Sequence, residues 1–121
     1  MAKVKYAGPA VEQTAGENLG GNRVIVVLGD LAFYADKDNL SHVDKVRGIS
    51  TEAFTTGNIG CVQIGGFMQD PSWSWTPDLP VFLSNNGLLT QTVPTTGFIL
   101  QLGVADTATR ILIDLKMPIV Q

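Results

Sequence analysis

At 121 residues the chain has room for one domain with a real core and none for two. Its net charge of −3, with no run of neighbouring basic residues, speaks against a nucleic-acid partner, which needs clustered Lys and Arg to displace counterions from phosphate. Its single cysteine, Cys61, excludes an intrachain disulfide framework.

Residues 1–22 are rich in Ala, Gly, Glu, Gln and Asn, with Tyr6, Val11 and Leu19 as isolated apolar positions. Lys3 and Lys5 give a basic start, but Gly8-Pro9 and Glu12-Gln13 interrupt any apolar run, so no signal peptide is expected. No stretch has the length of a membrane-spanning helix, and a soluble chain made in a cytoplasm is expected. The segment reads as an extended N-terminal arm ordering on a neighbouring subunit or as a frayed terminus, and its composition leaves both open.

From residue 23 onward strand signals dominate and helical periodicity is nearly absent. Strands are expected over Arg23 to Leu28, Leu31 to Ala35, Val46 to Ile49, Gly60 to Ile64, Val81 to Leu83, Leu88 to Thr92, Phe98 to Val104, and Thr109 to Leu115. Most are β-branched or aromatic runs bounded by Gly, Asn, Asp or Pro. Asn85-Asn86-Gly87 is the clearest hairpin turn, since Asn-Gly accepts the positive φ values of a type I′ turn. The last strand alternates, with Arg110, Leu112, Asp114 and Lys116 on one face and Ile111, Ile113 and Leu115 on the other. Its deletion is expected to unfold the domain.

A pattern recurs in the two halves. Asp30-Leu31-Ala32-Phe33-Tyr34-Ala35 leads through Asn39-Leu40-Ser41 to Gly48-Ile49-Ser50, and Asp78-Leu79-Pro80-Val81-Phe82-Leu83 leads through Asn86-Gly87-Leu88 to Gly103-Val104-Ala105. Each copy closes on an apolar strand, at Cys61-Val62-Gln63-Ile64 and at Ile111-Leu112-Ile113-Asp114. Two similar strand-turn-strand halves predict one all-β domain over residues 23–121, a small barrel or sandwich.

The chain carries 16% charged and 45% apolar residues, against roughly 25% charged in an ordinary soluble domain. A small domain has a high surface-to-volume ratio and cannot hide that much apolar surface, so burial against other chains is expected. The alternative is a monomer surfaced with Thr, Ser, Asn and Gln.

Residues for catalysis are few, and none is assigned. His42 is the sole histidine and reads as an exposed turn residue beside Ser41 and Asp44. Asp36-Lys37-Asp38-Asn39 opens like a calcium loop but lacks the following Gly and the Glu at the twelfth position, so it reads as a charged turn or a weak surface site. No Cys/His cluster suits zinc, and no metal or cofactor is expected. Gly20-Gly21-Asn22 and Gly65-Gly66 lack the helix and Lys of a phosphate loop. Cys61, between Gly60 and Val62, reads as a small buried hydrophobe. The sharpest feature is Pro71-Ser72-Trp73-Ser74-Trp75-Thr76-Pro77, whose two indoles share a side if extended. They read as a cap on a barrel end or an interface filler, each indole N–H finding a carbonyl, with sugar stacking as the alternative.

Residues 70–120 resemble virion proteins of tailed bacteriophages. The resemblance rests on Trp73-Ser74-Trp75-Thr76-Pro77-Asp78-Leu79-Pro80-Val81-Phe82-Leu83, then Asn86-Gly87-Leu88-Leu89-Thr90-Gln91-Thr92-Val93-Pro94, then Gly97-Phe98, Leu102-Gly103-Val104-Ala105 and Ile111-Leu112-Ile113-Asp114. Residues 20–68 follow more loosely. The chain is most similar to small capsid decoration (cement) proteins and the capsid-attachment domains of head fibres. That resemblance implies a β-barrel or β-tulip domain, a homotrimer bound to the major capsid protein on the virion exterior, and no catalytic residues. Tyr6, Val11, Leu19, Trp73, Trp75 and Phe98 are then the candidate interface residues. The competing expectation is a glycan-binding or adhesin module of a phage fibre or tail that uses Trp73 and Trp75.

Overall fold

The computed structural model describes residues 5–121, with side chains from residue 8 onward. In chain order its strands are β1 (Lys5–Ala7), β2 (Ala10–Ala15), β3 (Val24–Leu28), β4 (Leu31–Tyr34), β5 (Val46–Ser50), β6 (Ile59–Gln63), β7 (Gly66–Gln69), β8 (Pro80–Leu83), β9 (Leu89–Thr90), β10 (Phe98–Ile99), β11 (Gln101–Thr107), β12 (Arg110–Ile113) and β13 (Ile119–Val120). The one helical turn among the described residues is a 3-10 turn at Leu40–His42. The protein is all-β.

Strands β2, β4, β3, β5 and β6 close into a barrel in that order. Pairing is antiparallel except between β2 and β4, which run parallel with Thr14 opposite Leu31. Against the barrel lies a six-stranded sheet in the order β1-β7-β12-β11-β8-β9, and β10 pairs with β13 in a separate two-stranded ribbon. Tight turns set the hairpins. Gly29 and Asp30 join β3 to β4 with φ of 56° and 64°, and Asn86 and Gly87 join β8 to β9 with φ of 54° and 73°. These are the left-handed pairs that match the twist of the flanking strands.

Strand β3 explains how barrel and sheet become one body. Its sequence, Val-Ile-Val-Val-Leu, is apolar at every position, as a strand buried on both faces must be. Ile25 packs inward with Ala15, Leu19, Ala32, Phe54 and Val62 to fill the barrel. Val24 and Val26, on the opposite face, pack with Ile49 against Met68, Val81, Leu83, Phe98, Leu102, Ile111 and Ile113 from the sheet side. The larger core is therefore the seam between barrel and sheet.

Several expectations change here. The segment read as an N-terminal arm is built into the chain's own sheets over the described residues. β1 pairs with β7, and β2 closes the barrel on β6, with Val11 opposite Val62. Its period-two pattern is carried by small or half-buried residues, which is why it lacks a strand's usual composition. The Leu88 to Thr92 strand shrinks to Leu89–Thr90, and the Phe98 to Val104 strand divides at Leu100. Its first part pairs with β13, while its second pairs with β8 and β12. Strands β7 and β13 had no distinct signal.

The two halves suggested by the repeat share their last pairing: β5 lies beside β6, and β11 beside β12, both antiparallel. They differ at the first, because β3 separates β4 from β5 whereas β8 lies directly on β11. The repeated glycine has a physical basis. A Cβ on Gly48 would fall on the main-chain carbonyl of Gln63, and one on Gly103 on that of Leu112. In both halves the glycine lets the neighbouring strand come close.

Candidate interaction surface

Strand alternation leaves one face of the six-stranded sheet on the seam and turns the other outward. Register places Phe67, Leu112, Val104 and Pro80 side by side on β7, β12, β11 and β8. None of the four is buried, and Leu112 is 45% exposed. At a strand spacing of about 4.8 Å they form an apolar stripe roughly 15 Å wide. On one side it is flanked by Arg110, whose guanidinium grips the Asp106 carboxylate at 2.6–3.0 Å and lies 5.4 Å from the Phe67 ring centre. The guanidinium holds the Asp106 carboxyl below its usual range, and the carboxylate raises Arg110. Further apolar side chains stand exposed at the C-terminus, where Met117 is 84% exposed beside Ile119 and Val120, and on the barrel at Ile59. Leu79, Leu88 and Val93 are exposed near the β9 edge.

Trp73 and Trp75 lie half-buried against the larger core, their rings 5.6 Å apart and tilted by 54°. The segment is pinned by main-chain bonds from Trp73 N–H to the Asp70 carbonyl (3.0 Å) and from Trp75 N–H to the Ala108 carbonyl (2.7 Å). Gln91 then clamps the next residue: its Oε1 accepts from Thr76 N–H at 2.7 Å and its Nε2 donates to the Thr76 carbonyl at 2.9 Å. This two-point clamp links the Trp-Ser-Trp-Thr string to the Leu-Thr-Gln-Thr string. The expectation that each indole N–H finds a carbonyl fails at Trp75, whose Nε1 is buried without a partner among the described residues.

The turn from Asp36 to His42 is a polar joint between barrel and sheet. Asp36 Oδ1 accepts from Asn85 Nδ2 (2.7 Å) and from Asp38 N–H (2.9 Å). Asp38 accepts from Asn85 (2.8 Å), Thr96 (2.7 Å) and Lys37 (3.1 Å), and these bonds, Asn85's first, hold its carboxyl at about 2. Main-chain bonds run the same way, from Lys37 N–H to the Ser84 carbonyl, Gly87 N–H to Ala35 and Phe98 N–H to Lys37. The Asp36-Lys37-Asp38 carboxylates thus serve as acceptors for the chain's own donors, and no group of three potential metal-ligating side chains exists among the described residues. His42 is a correction: it is 7% exposed, not an exposed turn residue. Burial pushes its imidazole below the ordinary value, with the Asp36 charge opposing.

The candidate interface residues divide. Leu19 and Phe98 are buried inside the chain, in the barrel and the seam respectively, where they support the fold. Val11, Trp73 and Trp75 are half-buried, and the Tyr6 side chain lies outside the described residues. Cys61 is half-buried on the barrel wall opposite Glu12, not enclosed. The outward apolar stripe was missed as a group. Leu112 could have been found, since alternation already sets it with Arg110 and Asp114, but its neighbours on three other strands required the register. No protein-family model and no curated protein matches the chain.

Proposed function

We propose that this chain is a structural virion subunit of a tailed phage, a homotrimer that decorates the capsid exterior by bridging copies of the major capsid protein. The observation that carries the reading is the apolar stripe of Phe67, Leu112, Val104 and Pro80 on the outward sheet face. A stable specific interface buries on the order of 1,000 Å² or more, and Met117, Ile119, Val120, Leu79 and Leu88 are further apolar side chains exposed on the chain. Closed cyclic symmetry lets such sides bury one another, and repetition over a shell turns modest affinity at each joint into large collective stabilisation. The likeness of residues 70–120 to decoration proteins supports the same reading. The role is mechanical, with no catalytic residue assigned.

The glycan-binding alternative has less support, because the two indoles lean on the core at a steep tilt and do not form a flat platform. Native mass spectrometry and binding to empty capsid shells test the proposal. The native chain should be trimeric and bind shells, and Leu112→Glu should weaken both while the domain stays folded, since Leu112 lies outside the core. A monodisperse monomer that ignores capsid shells would overturn it.

A further inference from the structure

The strongest unassigned feature is the buried imidazole at the barrel–sheet joint. Its geometry is specific. His42 Nδ1 accepts the main-chain N–H of Asp36 at 3.0 Å, so Nδ1 carries no proton and the neutral ring holds its proton on Nε2. Nε2 lies 3.2 Å from the Asn39 Nδ2, where two donors would meet, so the bond to Asp36 is the ring's one productive contact on this side. Asn39 itself is committed to the turn, its Oδ1 accepting from Ser41 N–H and Oγ.

We propose that His42 is an acid-sensitive latch: protonation of its Nδ1 breaks the bond to the Asp36 N–H and loosens the Asp36–His42 turn from the 84–98 loop. An imidazolium has donors on both nitrogens and no acceptor, so Nδ1–H would face the Asp36 N–H directly. The part-buried N–H would lose its partner, and Asp36 is one of the two carboxylates, with Asp38, through which the turn holds Asn85. From Asp36 the connection continues through Asn85 and Asp38 to Thr96, and through Lys37 to the Ser84 and Phe98 main chain.

The charged group acting on the ring is the Asp36 carboxylate, which favours the imidazolium, while desolvation, the larger influence, disfavours it. Lys37 and Asp38 are paired with each other, and the side chains that the 84–98 loop brings to the joint, Asn85 and Thr96, are uncharged. Asp44 and Lys45 follow on the turn's own far side, where Lys45 N–H bonds the His42 carbonyl and not the ring. The opening therefore belongs below the ordinary histidine range. The inference concerns the fold of the single chain and stands whether or not the chain trimerises.

Because the chain has one histidine, NMR reads the latch without a variant. The His42 ring and the Asp36 amide should titrate with one shared midpoint below 6.5. Exchange of the Asp36 amide, corrected for its intrinsic pH dependence, should quicken by about tenfold or more on acidification through that midpoint, the size expected for one lost hydrogen bond to a part-buried donor. In His42→Asn, whose Oδ1 can take the place of Nδ1, that acceleration should vanish. Should His42→Asn fold poorly, the native titration alone decides. A ring that titrates while the Asp36 amide keeps its shift and protection would overturn the proposal, as would equal acceleration in a folded His42→Asn chain.

Discussion

Replacing Gly103 by Ala should cripple the sheet although it adds only a methyl group. The new Cβ would fall on the Leu112 carbonyl oxygen, with the Leu112 carbonyl carbon at 2.9 Å and the Ile113 Cα at 3.2 Å. All three atoms are main chain, so no rotamer change can relieve the clash, and β11 and β12 must separate. Overpacking of this kind costs about 1–3 kcal/mol, and each ladder hydrogen bond weakened by the separation adds about 0.5–1.5 kcal/mol. The gain from a stiffer unfolded chain offsets only about 0.4–1 kcal/mol. The internal control is Gly20→Ala, where the nearest atom to the added Cβ is the Tyr34 hydroxyl at 3.5 Å. That variant should be neutral or gain up to about 1 kcal/mol. Urea unfolding should therefore separate the two variants by roughly 2–4 kcal/mol, and thermal melting by on the order of 10 °C. Gly48→Ala should resemble Gly103→Ala, because its Cβ would meet the Gln63 carbonyl. A Gly103→Ala chain within about 0.5 kcal/mol of Gly20→Ala would refute the claim that close strand approach explains the repeated glycine.

Trp75→Ala should lose about 2–4 kcal/mol in urea unfolding by stripping a half-buried ring from the core, while Trp75→Phe should lose less, because it also removes the buried indole N–H that lacks a partner. Equal losses would show that this N–H is satisfied. Asp38 makes stability acid-sensitive in a second, lower window: its folded value of about 2 lies beneath the ordinary 3.8, so its contribution is complete above 3.8 and is lost as pH falls toward 2. Melting of native and Asp38→Asn chains should accordingly differ at pH 5 and converge near pH 2.

The all-β class, the Asn86-Gly87 turn and most strands from residue 23 onward were legible along the chain, because alternation and turn chemistry are local. So was the amphipathic strand β12, whose Ile111 and Ile113 are buried while Leu112 faces out, although it ends at Ile113 and β13 follows it. Tertiary structure alone decided the rest. Ala10–Ala15 became barrel wall because β6 offered it a free edge, a fact stored some fifty residues away. Phe98 and Leu19 resembled surface anchors by type yet ended in the core, because apolarity states that a side chain will be covered and not by what. His42 sits in a polar stretch and is buried only because the turn folds it beneath Asp36. The stripe of Phe67, Leu112, Val104 and Pro80 comes from four separate strands, and side-by-side placement depends on register between strands, which no local window contains.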